Sequence, residues 1–135
     1  MFFTLPWRAL WPLGRSRPAH LRTGAQGEEI ARRYLRSLGY SVHGRNVRAG
    51  RGEIDLIAFD PVDRTLVFVE VKARSRASED FLPAHNAGHK KWRRLRRAIG
   101  IWVARNTYDG GYRIDLISVI DGRVTDHAIG IGSIS

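Results

Sequence analysis

Between Gly52 and Arg74 the chain reads Gly-Glu-Ile-Asp-Leu-Ile-Ala-Phe, turns through Asp60 to Arg64, and returns as Thr-Leu-Val-Phe-Val-Glu-Val-Lys-Ala-Arg. Glu53, Asp55, Glu70 and Lys72 interrupt two arms otherwise rich in β-branched and aromatic residues, which predicts a hairpin. With a loop of Pro61 to Arg64, Asp60 faces Thr65. The register then opposes Phe59 to Leu66, Ile57 to Phe68, Asp55 to Glu70 and Glu53 to Lys72. Side chains alternate along a strand, so these residues share one face, and Ile54, Leu56, Ala58, Val67, Val69 and Val71 share the other. Opposed residues bring their Cβ atoms to roughly 4.5–5.5 Å, close enough for Asp55 and Glu70 to share one divalent cation. Like charges opposed on a half-buried face repel unless a cation lies between them. Lys72 projects to the same side, roughly 6.5–7 Å along the strand from Glu70. The pattern points to a metal centre with a lysine beside it. Two other arrangements stay open. Glu53 and Lys72 could form a plain cross-strand ion pair with Asp55 in solvent, or a bulged three-residue loop could shift the register and separate Asp55 from Glu70.

The surrounding elements must position these groups. A first helix is predicted from Thr23, where Thr-Gly-Ala-Gln has the form of a capping box, to a stop at Gly39. Ile30, Ala31, Tyr34, Leu35 and Leu38 form its apolar stripe. Glu29 falls opposite that stripe and is expected in solvent. Glu28 lies on its border and can reach the hairpin's charged face if the helix packs there; an acidic residue in a first helical turn is also favoured by the helix dipole alone. A strand is expected over Tyr40–Val47, followed by a turn at Gly50–Gly52. Ser75–Asn86 is polar and aperiodic, a loop. A second helix, from about Ala87 to Arg105, has a stripe of Leu95, Ala98, Ile99, Trp102 and Val103. Lys90, Lys91, Arg93, Arg94, Arg96 and Arg97 crowd its N-terminal half, where cations oppose the helix dipole and repel one another. They gain most from an external polyanion, although an ordinary solvated basic face would look the same. Lys91, four residues before Leu95, is aimed back towards the core. A last strand, Tyr112–Ile120, pairs through Asp121-Gly122 with Arg123–Ala128. Arg113 and Asp115 share a face there, and Arg113 is a candidate phosphate contact. The five histidines show no metal-ligand spacing and are expected on the surface or in loops.

With 135 residues, 43% of them hydrophobic, the chain has the makings of one domain with a true core. It has no cysteine, which excludes disulfides and thiolate metal sites and fits a cytoplasmic location. Its net charge of +10 favours a polyanionic partner, either nucleic acid or an anionic membrane surface, and does not by itself separate an enzyme from a structural binder. No stretch is long and apolar enough to span a bilayer, and a membrane partner is not expected. Residues 1–21 read as a basic, aromatic, poorly ordered tail, with residues 22–135 as the folded domain. Surface attachment through Phe2–Leu13 is a minor alternative.

The order helix, strand, strand, strand, helix, strand, carrying D-x14-E-x-K across its central hairpin, resembles the PD-(D/E)XK nuclease superfamily, which includes archaeal Holliday junction resolvases. More closely, the chain resembles the YraN family of predicted endonucleases from about Gly24 to Ala128. The likeness rests on Gly24-x-x-Gly27-Glu28-x-x-Ala31, Gly39-Tyr40, Arg45-Asn46-x-Arg48, Gly52-Glu53-Ile54-Asp55-Leu56-Ile57 and Phe68-Val69-Glu70-Val71-Lys72-x-Arg74, with Lys91 and Arg113-Ile114-Asp115 completing it. Trp92 after Lys91, and Gly88-His89 before it, depart from the family's pattern. The resemblance implies an α/β, restriction-endonuclease-like α-β-β-β-α-β core with a mixed sheet flanked by helices. It also implies Mg²⁺- or Mn²⁺-dependent hydrolysis of DNA phosphodiesters, with branched or single-stranded structures as candidate substrates and no small-molecule cofactor. Asp55, Glu70 and the Val71 carbonyl would bind the metal, and Lys72 would orient water and steady phosphate charge. Glu28 would be the helical acidic residue, with Glu53 supporting the ligands. Arg48, Arg74, Lys90, Lys91, Arg93, Arg94, Arg97 and Arg113 would hold the nucleic-acid backbone. Junction resolvases act as dimers, so a homodimer is compatible with the resemblance. The alternative is a non-catalytic nucleic-acid-binding accessory protein that keeps the fold.

Overall fold

The computed structural model describes residues 19–76 and 89–132. In chain order the elements are α1 (Ala19–Ser37), β1 (Ser41–Ala49), β2 (Gly52–Asp60), β3 (Thr65–Arg74), α2 (His89–Arg105), β4 (Tyr112–Ile120) and β5 (Arg123–Ala128). The strands form one mixed sheet in the order β1-β2-β3-β4-β5. Only the β3–β4 pair is parallel. A parallel neighbour demands a crossover, and α2 lies on the chain between those two strands. The α/β core expected from the sequence is present.

Each helix buries most of its stripe on one side of the sheet; Leu38, expected in that of α1, lies past the helix end and is exposed. Ala31 and Leu35 of α1 meet Leu56, Ala58, Val67, Val69, Val71, Ile117 and Val119. Leu95, Ala98, Ile99 and Trp102 of α2 meet Ala49, Ile54, Ile57, Leu66, Phe68 and Ile114. Phe68 anchors the second layer, edge-to-face with Trp102 and Tyr112 at centroid distances of 5.4 and 5.6 Å.

Helix α1 starts at Ala19, four residues before the expected capping box. No helix breaker stands between Pro18 and Thr23, so nothing in the sequence forces a start at Thr23. Its end is as expected. The Tyr40 amide donates to the Leu35 carbonyl and the Gly39 amide to that of Arg36, a Schellman closure, with Gly39 at φ +91°. Residues 1–18, nearly all of the expected tail, lie outside the described residues. So do residues 77–88, which include most of the expected loop and the expected first residues of α2.

The hairpin turns where expected. Asp60 Oδ1 accepts the amides of Val62 and Asp63 at 2.9 and 3.3 Å, and the register holds from Asp60↔Thr65 to Leu56↔Val69. There the ladder stops. Neither Asp55–Glu70 nor Glu53–Lys72 forms a backbone pair. At the same level on β1, Asn46 adopts φ +49° between the pairs Arg45↔Leu56 and Val47↔Ile54. A left-handed residue inside a strand twists and re-aims it. Ile54 accordingly joins the α2 layer while Leu56 joins the α1 layer, so the single face expected for Ile54, Leu56 and Ala58 is broken at Asp55.

Candidate active site

Beyond the last hairpin pair, Asp55 uses its side chain where the ladder would have used backbone. Its Oδ2 accepts the Val71 amide at 2.8 Å. The N–H and C=O of one extended residue leave the same strand edge, so the Val71 carbonyl also faces the gap past the end of the ladder. Glu70 and Lys72 flank Val71 and are buried, at 5% and 9% exposure. Lys91, near the start of α2, reaches back so that its Nζ stands 2.6 Å from Glu70 Oε1. That contact is an ion pair off the hydrogen-bonding line, and Glu70 Oε1 is a buried oxygen with no aligned donor.

Helix α1 brings Glu28 to the same corner because Gly27 has no side chain. A Cβ at Gly27 would lie 2.3 Å from the Ala73 Cβ. This close seat holds the Gly27–Glu28 turn of α1 against β3 beside Val71.

The charges interact strongly. Burial pushes the Asp55 carboxyl up to about 8, helped by the neighbouring Glu70 carboxylate and more weakly by Glu28, against the Val71 amide and Lys91. Burial lowers the Lys72 ammonium, and Arg74 and Lys91 lower it further, with Glu70 opposing. Lys91 is raised: burial works against it, but Glu70 and Asp55 outweigh that penalty. Two carboxylates and two lysines are therefore set within electrostatic reach, with Arg74 at the rim.

Among the described residues, no three His, Cys, Asp or Glu side chains make a metal cage by themselves. The acidic group is a pair, Asp55 with Glu70, supplemented by Glu28 at longer range. The donors present are all oxygens, one of them a buried carboxylate oxygen without an aligned donor. That set fits a hard divalent cation, which prefers oxygen ligands and keeps several waters.

Other expected site residues fall elsewhere. Glu53 is exposed, and its cross-strand neighbour is Arg48 on β1 rather than Lys72. The end of the β2–β3 ladder removes it from the support role. Arg113 is not placed as a phosphate contact either. Its guanidinium donates to Asp60 at 3.0 Å, Asp63 at 3.2 Å, Asp115 at 3.0 Å and the Tyr40 hydroxyl at 2.9 Å, at the turn end of the sheet. Asp115 is fully buried beneath it. Burial pushes that carboxyl up, but His127, Arg113 and the Gly130 amide together hold it below the usual range. His127, expected on the surface, is buried between Asp115 (2.9 Å) and the Tyr34 hydroxyl (3.1 Å). Asp115 accepts only, so Nε2 carries the proton and Nδ1 faces the tyrosine.

Glu29, expected in solvent, also proves structural. It pairs with Arg32 at 2.7 Å, Arg33 at 3.0 Å and Arg45 of β1 at 2.6 Å. The Arg32 hydrogen bond leads in pulling its carboxyl down to about 2, against a smaller burial penalty and with help from Arg33 and Arg45. Along α2, Lys90, Arg93, Arg94 and Arg97 are exposed as expected. One residue at the site was missed. Ser118, the β4 partner of Lys72, is buried with its hydroxyl unpaired. A lone serine in an apolar strand gives no sequence signal.

Comparison with known proteins adds the family. The model of uncharacterised protein family UPF0102 matches residues 27–119. A UPF0102 protein of Mycobacterium tuberculosis is 44% identical over 100 residues, covering 73% of this chain and 77% of its own. One from Mycolicibacterium smegmatis is 40% identical over 125 residues, covering 89% and 100%. One from Pelobacter propionicus is 38% identical over 110 residues, covering 81% and 78%. Among the described residues, no helix is long and apolar enough to cross a membrane.

Proposed function

The chain belongs to uncharacterised protein family UPF0102, also known as the YraN family, and from the chemistry of its site we propose that it is a metal-dependent endonuclease acting on DNA. The observation that carries this reading is the pairing of half-buried Asp55 with buried Glu70, flanked by Lys72 and Lys91. A hard divalent cation, Mg²⁺ or Mn²⁺, held by Asp55 and Glu70 with the Val71 carbonyl, would polarise a phosphodiester and make water a better nucleophile.

The chain's own groups supply the rest. Lys72 is buried and less basic than an ordinary lysine, so its Nζ can orient a water and give hydrogen bonds to phosphate oxygens as charge grows on them. Glu28, held close by the Gly27 contact, adds negative charge that favours a cation in this corner. The side chain of Lys91 is 60% exposed, although its tip touches Glu70. Once another cation neutralises Glu70, Lys91 can swing to a phosphate. The exposed Lys90, Arg93, Arg94 and Arg97 of α2 continue the positive surface from this point, with Arg74 at the rim and Arg48 on β1. Such contacts hold backbone without reading sequence.

One observation favours a second reading. The Lys91 ammonium already balances Glu70 without any metal, as it would in a non-catalytic nucleic-acid-binding protein that keeps the fold. Incubating the protein with labelled single-stranded, duplex, flap and four-way-junction DNA, in Mg²⁺, Mn²⁺ or chelator, separates the two. Cleavage that needs the metal supports the nuclease. Binding to the same substrates without cleavage under any metal supports the accessory role.

A further inference from the structure

Away from Asp55 and Glu70, α1 and the edge strand β1 enclose a cavity of about 580 Å³. Arg32 and Arg36 reach it from the helix, and Tyr40, Val42, His43 and Arg45 line it from the connection and the strand. It begins at Arg45, the cross-strand partner of Leu56, and runs towards Ser41, the partner of Phe59. It therefore follows the α1 side of the sheet, whereas the basic helix α2 covers the other side.

The charge of this cavity is one-sided. Among the described residues, three arginines line it and no acidic residue does. Glu29 lies behind them and binds Arg32 through Nε at 2.9 Å and Nη2 at 2.7 Å, and Arg45 through Nη2 at 2.6 Å. One carboxylate thus orients the two cavity guanidiniums, with Arg33 bound outside the cavity, while cancelling a single charge. Arg36, one helical turn beyond Arg32, is exposed and stands outside the Glu29 cluster. Planar guanidiniums fixed in advance suit the paired oxygens of a phosphate, because little side-chain freedom is lost on binding. The remaining wall offers Tyr40 and Val42 as an apolar surface, with Ser41 and His43 bonded to each other at 2.8 Å on its edge. A volume of this size falls within the roughly 300–1,000 Å³ of small-ligand sites.

We propose that this cavity is a second anion site that takes a terminal phosphate carried on a nucleoside-sized body, with the phosphate at Arg32 and Arg36 and the ring against Tyr40 and Val42. Two sources share that chemistry, a free mononucleotide and the phosphorylated end of a nucleic-acid strand. The inference is independent of the nuclease reading, since none of these side chains belongs to the Asp55–Glu70 corner.

The test is calorimetric titration of the full chain in chelator with adenosine 5′-monophosphate, adenosine and inorganic phosphate. Short oligonucleotides carrying a 5′-phosphate or a 5′-hydroxyl complete the set. The monophosphate is expected to bind more tightly than either of its parts, or the phosphorylated oligonucleotide more tightly than its hydroxyl twin. The first result identifies a free nucleotide as the source and the second a strand end. In either case Arg36→Gln, which leaves the Glu29 cluster intact, should weaken binding about tenfold. Arg32→Lys should weaken it too, because a point charge replaces a planar fork. Asp55→Asn should leave it unchanged, so loss of the nuclease reading would not touch this one. Failure of both phosphorylated probes to outbind their controls would overturn the site, as would full binding by the two arginine variants.

Discussion

The Asp55 carboxylate accepts the Val71 amide at 2.8 Å, so a side chain closes the central hairpin where a backbone pair was expected. This bond places an acidic group between Glu70, Glu28 and Lys91 and holds it in a setting that resists ionisation. Its consequences are measurable without knowing the substrate.

The Asp55 carboxyl has a higher pKa folded, about 8, than the ordinary 3.8 it regains on unfolding. Between those values the folded state binds the extra proton, so metal-free stability falls as pH rises through the window. In Asp55→Asn the amide oxygen can still accept from Val71, and this part of the slope disappears. Melting curves in chelator should show the variant increasingly favoured from about pH 5 to about pH 8, with a gain of roughly 3–4 °C per kcal/mol. Mn²⁺ should then raise the melting temperature of the wild type and not that of the variant. Parallel pH curves for the two proteins would count against the buried charge.

Lys91 and a metal compete for Glu70. Lys91→Gln should therefore bind Mn²⁺ more tightly than the wild type, read by calorimetry. It should also bind DNA more weakly, with a salt slope shallower by about 1. Unchanged metal affinity would mean that the Lys91–Glu70 contact does not guard the site.

Gly27→Ala puts a methyl where the Ala73 Cβ already lies. Helix α1 must move off β3, at an expected cost of about 1–3 kcal/mol in denaturant unfolding. Because Glu28 moves with it, the stabilisation by Mn²⁺ should shrink as well.

Glu29 contributes stability that is fully present above its ordinary value of 4.5 and is lost as pH falls towards about 2, since folding lowers its pKa. Glu29→Gln should cost about 1–3 kcal/mol near neutral pH, because Arg45 loses a charged partner between α1 and β1. The loss should fade in acid, and a constant penalty down to about pH 2 would contradict the ion-pair account.

Much of this was legible in the sequence, and the exceptions share a cause. The alternation of Gly52–Asp60 and Thr65–Arg74, the loop between them and the stripes of both helices were readable because they depend on local spacing. The stop at Gly39 was readable for the same reason. The break at Asp55 was not, because there a side chain bonds a backbone amide 16 residues away, which strand alternation does not report. Arg113 looked like a phosphate contact because its acid partner Asp60 lies 53 residues away in the chain. His127 and Glu29 were misplaced for like reasons: burial and the Arg45 partner are tertiary facts that periodicity does not carry.

Metal-dependent hydrolysis at Asp55 and Lys72 is read out by single-turnover cleavage of the preferred DNA substrate in Mg²⁺ or Mn²⁺, with binding measured alongside, for the wild type, Asp55→Asn and Lys72→Met. The wild type should cleave in a reaction that chelator abolishes, and both variants should lose about a hundredfold or more while DNA binding persists. Cleavage that survives Asp55→Asn, or wild-type binding without cleavage in every metal, would contradict metal-dependent hydrolysis there.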